Sequence, residues 1–294
     1  MYYRRKILIS LLDSFGGELT KIDLQKLLMI FSKHQKKPAY HFVPYKYGCY
    51  SFQANSDLNT LNKYNITGSD ETKWFLLNQN DFKIELIKED REILNTITLQ
   101  FKNKLGNDLL KFTYKHYPYY AFNSNLLYKL LDKSDIDLVL KTKPVNNGEG
   151  LYTIGYEGIS FEEYLNKLIK YNIKILCDVR RNALSMKFGF SKNQLKNACE
   201  NLGIQYKHFP ELGIRSEDRK ELSGQGDYDI LFKSYVKNTI PETVSSQEIL
   251  VNLIKEYKRI AITCFEADVC KCHRLHLANS LKKLKSFNSK INHI

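Results

Sequence analysis

The apolar positions change rhythm near the middle of this chain. Ile7, Leu8, Leu11, Leu12 and Phe15 recur at helical spacing, and Gly16-Gly17 ends that run. Thr20 can cap a second helix, in which Leu24, Leu27, Leu28 and Phe31 form the apolar stripe. Residues 42–48 read as extended, Ser51 as a further helix cap, and residues 88–105 as a long amphipathic helix. Tyr117-Pro118-Tyr119-Tyr120 is an aromatic loop, read as core packing in preference to base stacking. The first half is therefore expected to be mainly α.

Beyond the polar, Pro- and Gly-containing stretch 141–150, short apolar runs alternate with helical patterns. Residues 151–154 read as a strand and Gly155-Tyr156-Glu157-Gly158 as a turn. Ser160 with Glu163 forms a capping box for a helix to about Tyr171. Strands follow at 173–177, 204–209 and 259–263, with helices at 192–202, 228–237, 247–257 and 275–284. That alternation predicts an α/β domain with a mostly parallel sheet flanked by helices. The expected division is a mainly helical domain over 1–143 and the α/β domain over 150–294.

A parallel sheet makes a geometric prediction, because ligands bind beyond the carboxyl ends of its strands. Tyr156 and Glu157, then Asp178 and Arg180, then Cys264 and Glu266 leave three such ends and should converge on one edge. The segment Cys264-Phe265-Glu266-Ala267-Asp268-Val269-Cys270-Lys271-Cys272-His273-Arg274 adds two thiols, an imidazole and a guanidinium before a helix. Free backbone N–H groups at that helix start favour anions and lower thiol pKa values.

Three chemistries suit these residues. Carboxylate catalysis would use Glu157, Asp178 and Glu266 as acid, base and nucleophile, with Tyr156, Arg180, Cys272, His273 and Arg274 binding an anionic substrate. The competing structural reading is an ion pair, Asp178 with Arg274 or Glu266 with Arg180. A cysteine nucleophile would use Cys264 or Cys272, with His273 or Arg274 lowering its pKa. A phosphatase-like loop is disfavoured, since an arginine would be needed at position 270, where cysteine stands. Zinc on Cys264, Cys270, Cys272, His273 and His276 is disfavoured too: Cys272 and His273 are adjacent on a helix and diverge by about 100°, and the spacing matches no common finger or ribbon. No metal or cofactor is therefore expected, and zinc is not expected to be needed for folding.

Composition narrows the setting. The chain has 294 residues, 43% of them hydrophobic, enough for two cores. No apolar run approaches the roughly 20 residues of a membrane span. The basic, then apolar start superficially resembles a signal peptide, but Asp13 interrupts it and no small-residue cleavage site follows. Six cysteines, three of them between positions 264 and 272, do not form a disulfide framework. The chain is read as cytoplasmic, with no membrane partner. A net charge of +13 suits a polyanionic partner. Its spread is even, +7 over residues 1–148 and +6 over 149–294, and 36 lysines against 9 arginines also suit an AT-rich coding sequence.

Residues 151–285 resemble the uncharacterised family called domain of unknown function 488. The matching pieces are Thr153-Ile154-Gly155-Tyr156-Glu157-Gly158, Cys177-Asp178-Val179-Arg180, Glu211-Leu212-Gly213, Cys264-Phe265-Glu266 and Cys272-His273-Arg274. The family more often has a proline-containing loop where Asn182-Ala183-Leu184-Ser185 stands, and Cys270 lies outside its pattern. Residues 4–122 resemble the SocA-like antitoxin domain, also called Panacea. That likeness rests on Leu24-Gln25-Lys26-Leu27-Leu28, Pro44-Tyr45-Lys46-Tyr47-Gly48 and Thr113-Tyr114-Lys115-His116-Tyr117-Pro118. It implies a binding or regulatory module with a protein partner, in toxin–antitoxin or phage-defence settings. The expected function is hydrolysis of a nucleotide or nucleic acid, with N-glycosidic cleavage preferred. The alternative is a non-enzymatic nucleic-acid-binding or antitoxin-like protein.

Overall fold

The computed structural model describes residues 1–77, 85–146, 148–215 and 225–294; Asn147 of the expected linker lies outside them. The chain forms two compact units, Met1–Lys143 and Pro144–Ile294.

In the first unit, helices α1 (Tyr3–Ser14), α2 (Lys21–His34), α3 (Phe52–Lys63), α4 (Lys88–Phe101) and α5 (Asn107–His116) supply most of the structure, followed by the shorter α6 (Leu127–Leu130) and α7 (Lys133–Lys141). Thr20 and Ser51 cap α2 and α3 as expected, accepting from the backbone N–H groups of Asp23 and Ala54. Two small antiparallel sheets accompany the helices. Strands β1 (Glu18–Thr20), β5 (Lys73–Leu76) and β4 (Thr67–Ser69) pair in that order, and β2 (Val43–Tyr45) pairs with β3 (Gly48–Tyr50). Helix α2 is buried over all of residues 23–32, not along one stripe. Its polar side chains are satisfied internally: Lys26 donates to the Cys49 carbonyl at 3.0 Å, and Gln25 bonds both N–H and C=O of Ser51. Tyr117 and Tyr120 pack against this core, and residues 118–121 form a 3₁₀ turn.

The second unit is built on β6 (Gly150–Gly155), β7 (Ile175–Asp178), β8 (Gln205–His208), β9 (Arg259–Cys264) and β10 (Lys290–His293). They form one all-parallel sheet in the order β10-β6-β9-β7-β8. The central strands β6, β7 and β9 are buried along their whole length, as strands covered on both faces must be. The edges β8 and β10 are partly exposed.

Helices α8 (Phe161–Lys170), α9 (Lys192–Asn201), α10 (Gln225–Ser234), the short α11 (Ile240–Glu242), α12 (Val244–Tyr257) and α13 (His273–Leu281) complete the unit, with a π-turn at Tyr235–Thr239. The capping box of α8 is fully made: Ser160 accepts from Glu163 N, and Glu163 accepts from Ser160 N at 2.7 Å. Leu250, Ile254, Leu277 and Leu281 of α12 and α13 pack with Ile175, Ile260 and Ile262 of the sheet. At the amino ends of the strands, buried Arg259 bonds the carbonyls of Tyr171 and Gly148 and the hydroxyl of Tyr152. The opposite, carboxyl ends are left for chemistry.

Candidate functional site

Strand register brings the expected segments together. Gly155 of β6 pairs with Cys264 of β9, and Asp178 of β7 pairs with Thr263 of β9. Beyond these ends the backbone stays knitted: Tyr156 and Glu157 N–H both donate to the Phe265 carbonyl, and Val179 N–H donates to Thr263. Two glycines make the close approach possible. A Cβ on Gly155 would sit 1.8 Å from the Glu266 carbonyl oxygen, and one on Gly213 would sit 2.2 Å from Arg181 N.

The converged residues divide into two clusters. In the first, Asp178 is fully buried and its carboxylate is completely engaged. Arg180 grips it bidentately, Nε to Oδ1 at 2.9 Å and Nη2 to Oδ2 at 2.6 Å, and Tyr206 donates to Oδ2 at 2.7 Å. The third Arg180 nitrogen, Nη1, donates to the Tyr156 hydroxyl at 2.8 Å, and Tyr156 stacks on Phe190 with ring centroids 4.1 Å apart. Burial opposes the charge on Arg180, but its hydrogen bonds to the Asp178 carboxylate outweigh it and raise the guanidinium pKa. The ion pair is thus Asp178–Arg180, a pairing neither expected alternative contained. Asp178 holds Arg180 and Tyr206 in place and has no free oxygen for a substrate.

The second cluster is Cys264, Cys272 and His273, all about 1% exposed, with one ligand atom from each lying within 4.8 Å of the others. Their closeness overturns the angular argument against a metal. Cys272 is not helical: it is the N-cap of α13, extended at φ −136° and ψ 138°, and the helix begins at His273. Asp268 caps a 3₁₀ turn at Val269–Lys271 by accepting from Cys270 N, and that turn returns the chain to the end of β9. His273 Nε2 lies 3.1 Å from the Val179 carbonyl, which can only accept, so Nε2 carries the proton. Nδ1 is left facing Cys264 Sγ at 3.7 Å and Cys272 Sγ at 3.9 Å.

Charge is shared across this cluster. The Cys272 thiol hydrogen-bonds Cys264 and, with His273, holds its pKa well below the usual thiol range. Burial drives Cys272 the other way. Burial disfavours His273⁺, yet the neighbouring Cys264 charge outweighs it and raises the imidazole. Glu266 is raised by burial and by Cys264, and its Oε2 is buried with no hydrogen-bond partner among the described residues. Arg274 is 1% exposed, and its Nε and Nη1 are likewise unpartnered.

Glu157 stands apart at the surface, where it accepts from Ala267 N at 3.0 Å and ties two loops. Cys270 is exposed and outside both clusters. A cleft of about 240 Å³ adjoins them, lined by Tyr156, Arg180, Arg181, Ile214 and Cys264 among others. Sequence reasoning missed Tyr206 and His208, the latter donating from Nε2 to the Arg180 carbonyl at 2.8 Å. Their signal was present: two residues apart on an edge strand, they share one face. It also missed Tyr235, whose ring meets His273 edge-on at 5.4 Å.

The second unit is an α/β protein with an all-parallel sheet and a buried thiol–imidazole site at its carboxyl edge. Residues 160–281 match a family described as "Domain of unknown function DUF488", which covers most of the segment that carried the resemblance. No curated protein matches the chain. Among the described residues no helix is long and apolar enough to cross a membrane.

Proposed function

We propose that the second unit is a hydrolase of a nucleotide or nucleic acid, with an N-glycosidic bond as the preferred target. The observation that carries this reading is the cleft. Cys264 forms part of its wall beside the exposed Arg181, so a reactive group and one phosphate-binding guanidinium share one concavity. About 240 Å³ takes a base or a phosphate, with the rest of a larger substrate lying across the surface. We assign the acid–base role to Glu266, which follows the cleft-lining Cys264 and Phe265 and whose Oε2 has no partner among the described residues. Asp178 and Arg180 are positioning residues that hold Tyr156 in the cleft wall.

A screen of nucleotides, DNA and RNA should yield a hydrolysis product, with Glu266→Gln slower by about a hundredfold or more. Binding without product, unchanged in Glu266→Gln, would overturn the hydrolase. It would support the second reading, a non-enzymatic nucleic-acid-binding or antitoxin-like protein, which the filled Asp178–Arg180 pair favours. On either reading the SocA-like likeness of residues 4–122 supports a protein partner for the first unit and a role in phage defence. Cytoplasmic placement belongs to the same proposal.

A further inference from the structure

We propose that Cys264, Cys272 and His273 are the three protein ligands of a divalent d-block metal ion, zinc by chemical preference. Two soft thiol sulfurs and one imidazole nitrogen are the donors such ions select over oxygen-only sites. Bond lengths of about 2.3 Å to sulfur and 2.0–2.1 Å to nitrogen put tetrahedral S···N edges at roughly 3.6 Å. The two S···Nδ1 separations here are 3.7 and 3.9 Å.

The imidazole is also oriented as a ligand. Nε2–H donates to the Val179 carbonyl, which fixes the tautomer and turns the Nδ1 lone pair toward both sulfurs.

Two further observations show unsatisfied buried polar atoms at this place. Glu266 Oε2, two residues along the chain from Cys264, is buried without a partner among the described residues. Arg274, next to His273 in the chain, is buried with Nε and Nη1 unpartnered among the described residues. Buried ionic groups left in this state are costly unless something balances them. A dication with two thiolates adds no net charge beside the buried carboxylate and guanidinium, so the site can fill without leaving a net charge buried. Binding needs both sulfurs as thiolates and the imidazole neutral, and whatever protons they carry pass to solvent. Three protein ligands leave a fourth position for water, with Glu266 beside it, and Cys264 links the site to the cleft wall.

Metal content tests the site directly and separates it from the hydrolase reading, because a chain that holds zinc but cleaves nothing removes only the latter. Elemental analysis of the full-length protein, purified without chelator, should give stoichiometric zinc. Replacement by cobalt should produce thiolate-to-metal absorption. Cys264→Ser, Cys272→Ser and His273→Ala should each weaken zinc binding by about a hundredfold or more, at least the loss that second-shell changes bring. Cys270→Ser, altering an exposed thiol outside the cluster, should keep it. Protein with a native circular dichroism spectrum that takes up neither zinc nor cobalt would overturn the proposal. So would a Cys264–Cys272 disulfide in non-reduced mass spectra, or zinc that survives all three ligand substitutions.

Discussion

Asp178 shows how burial reassigns a residue that looks catalytic in sequence. Every oxygen of its carboxylate is taken, and its arginine is 4% exposed, so the pair carries a desolvation cost that only its own geometry offsets. Asp178→Asn keeps the shape but strands a buried guanidinium, and should destabilise the second unit by about 3–5 kcal/mol. Urea denaturation would measure this. Unchanged stability with lost hydrolysis would return Asp178 to the reacting groups. Gly155 makes a complementary case. A methyl there meets the Glu266 carbonyl at 1.8 Å, a backbone atom that cannot swing aside, and Arg274 Nη1 at 2.7 Å. Gly155→Ala should cost about 1–3 kcal/mol through overpacking. It should also push away the loop that carries Glu266, so metal content should fall with stability. Full zinc occupancy in Gly155→Ala would show that the loop can move without opening the thiol cluster.

Elements with a complete local signal were legible in the sequence, and the others were not. The α8 capping box, the Thr20 and Ser51 caps and the three apolar central strands each carry their own cue. Strand β10 carries none: Lys-Ile-Asn-His at a half-exposed edge has little apolar periodicity, and only pairing with β6 makes it a strand. The three-residue strands β1 and β4 are too short for alternation to register. At the site, convergence was readable from strand order, but the Cys272–His273 geometry was not. Nothing local says that the helix starts at His273, two residues before the apolar pattern at Leu275 begins. Between α1 and α3 the tie is likewise long-range: Arg4 and Arg5 both bond Asp57, at 2.5 and 2.8 Å. Burial alone would raise this carboxyl, but the two guanidinium hydrogen bonds outweigh it and hold it below its usual value. The folded state therefore binds fewer protons at this position. Its stabilisation is complete above the unfolded value, about pH 4, and is lost as pH falls through the folded one. Unfolding free energies measured from neutral to acidic pH should decline more steeply below about pH 4 for the parent than for Asp57→Asn. Parallel curves would remove the tie.

At the scale of the whole chain, each unit contains what an independent domain needs. Residues 144–294 carry a five-stranded sheet with, among the described residues, no partner strand from elsewhere, a core of Ile, Leu and Val side chains, and a site whose every named residue lies within the unit. Their length lies at the usual size of an autonomous domain, about 100–150 residues. The first unit has its own core, from Ile7 to Leu109. Positive charge is shared between the halves, so neither is the basic arm of the other, and any polyanion binding should be salt-sensitive in both. A fragment spanning 144–294 should therefore fold alone. It should show the circular dichroism of an α/β domain and a single cooperative unfolding transition. Because β10 covers the edge of β6, a shorter fragment ending at 287 should lose stability or self-associate through that strand. An unfolded 144–294 fragment would mean that residues 1–143 contribute to its folding. A fragment ending at 287 as stable and monomeric as the longer one would mean that β10 is dispensable to the sheet.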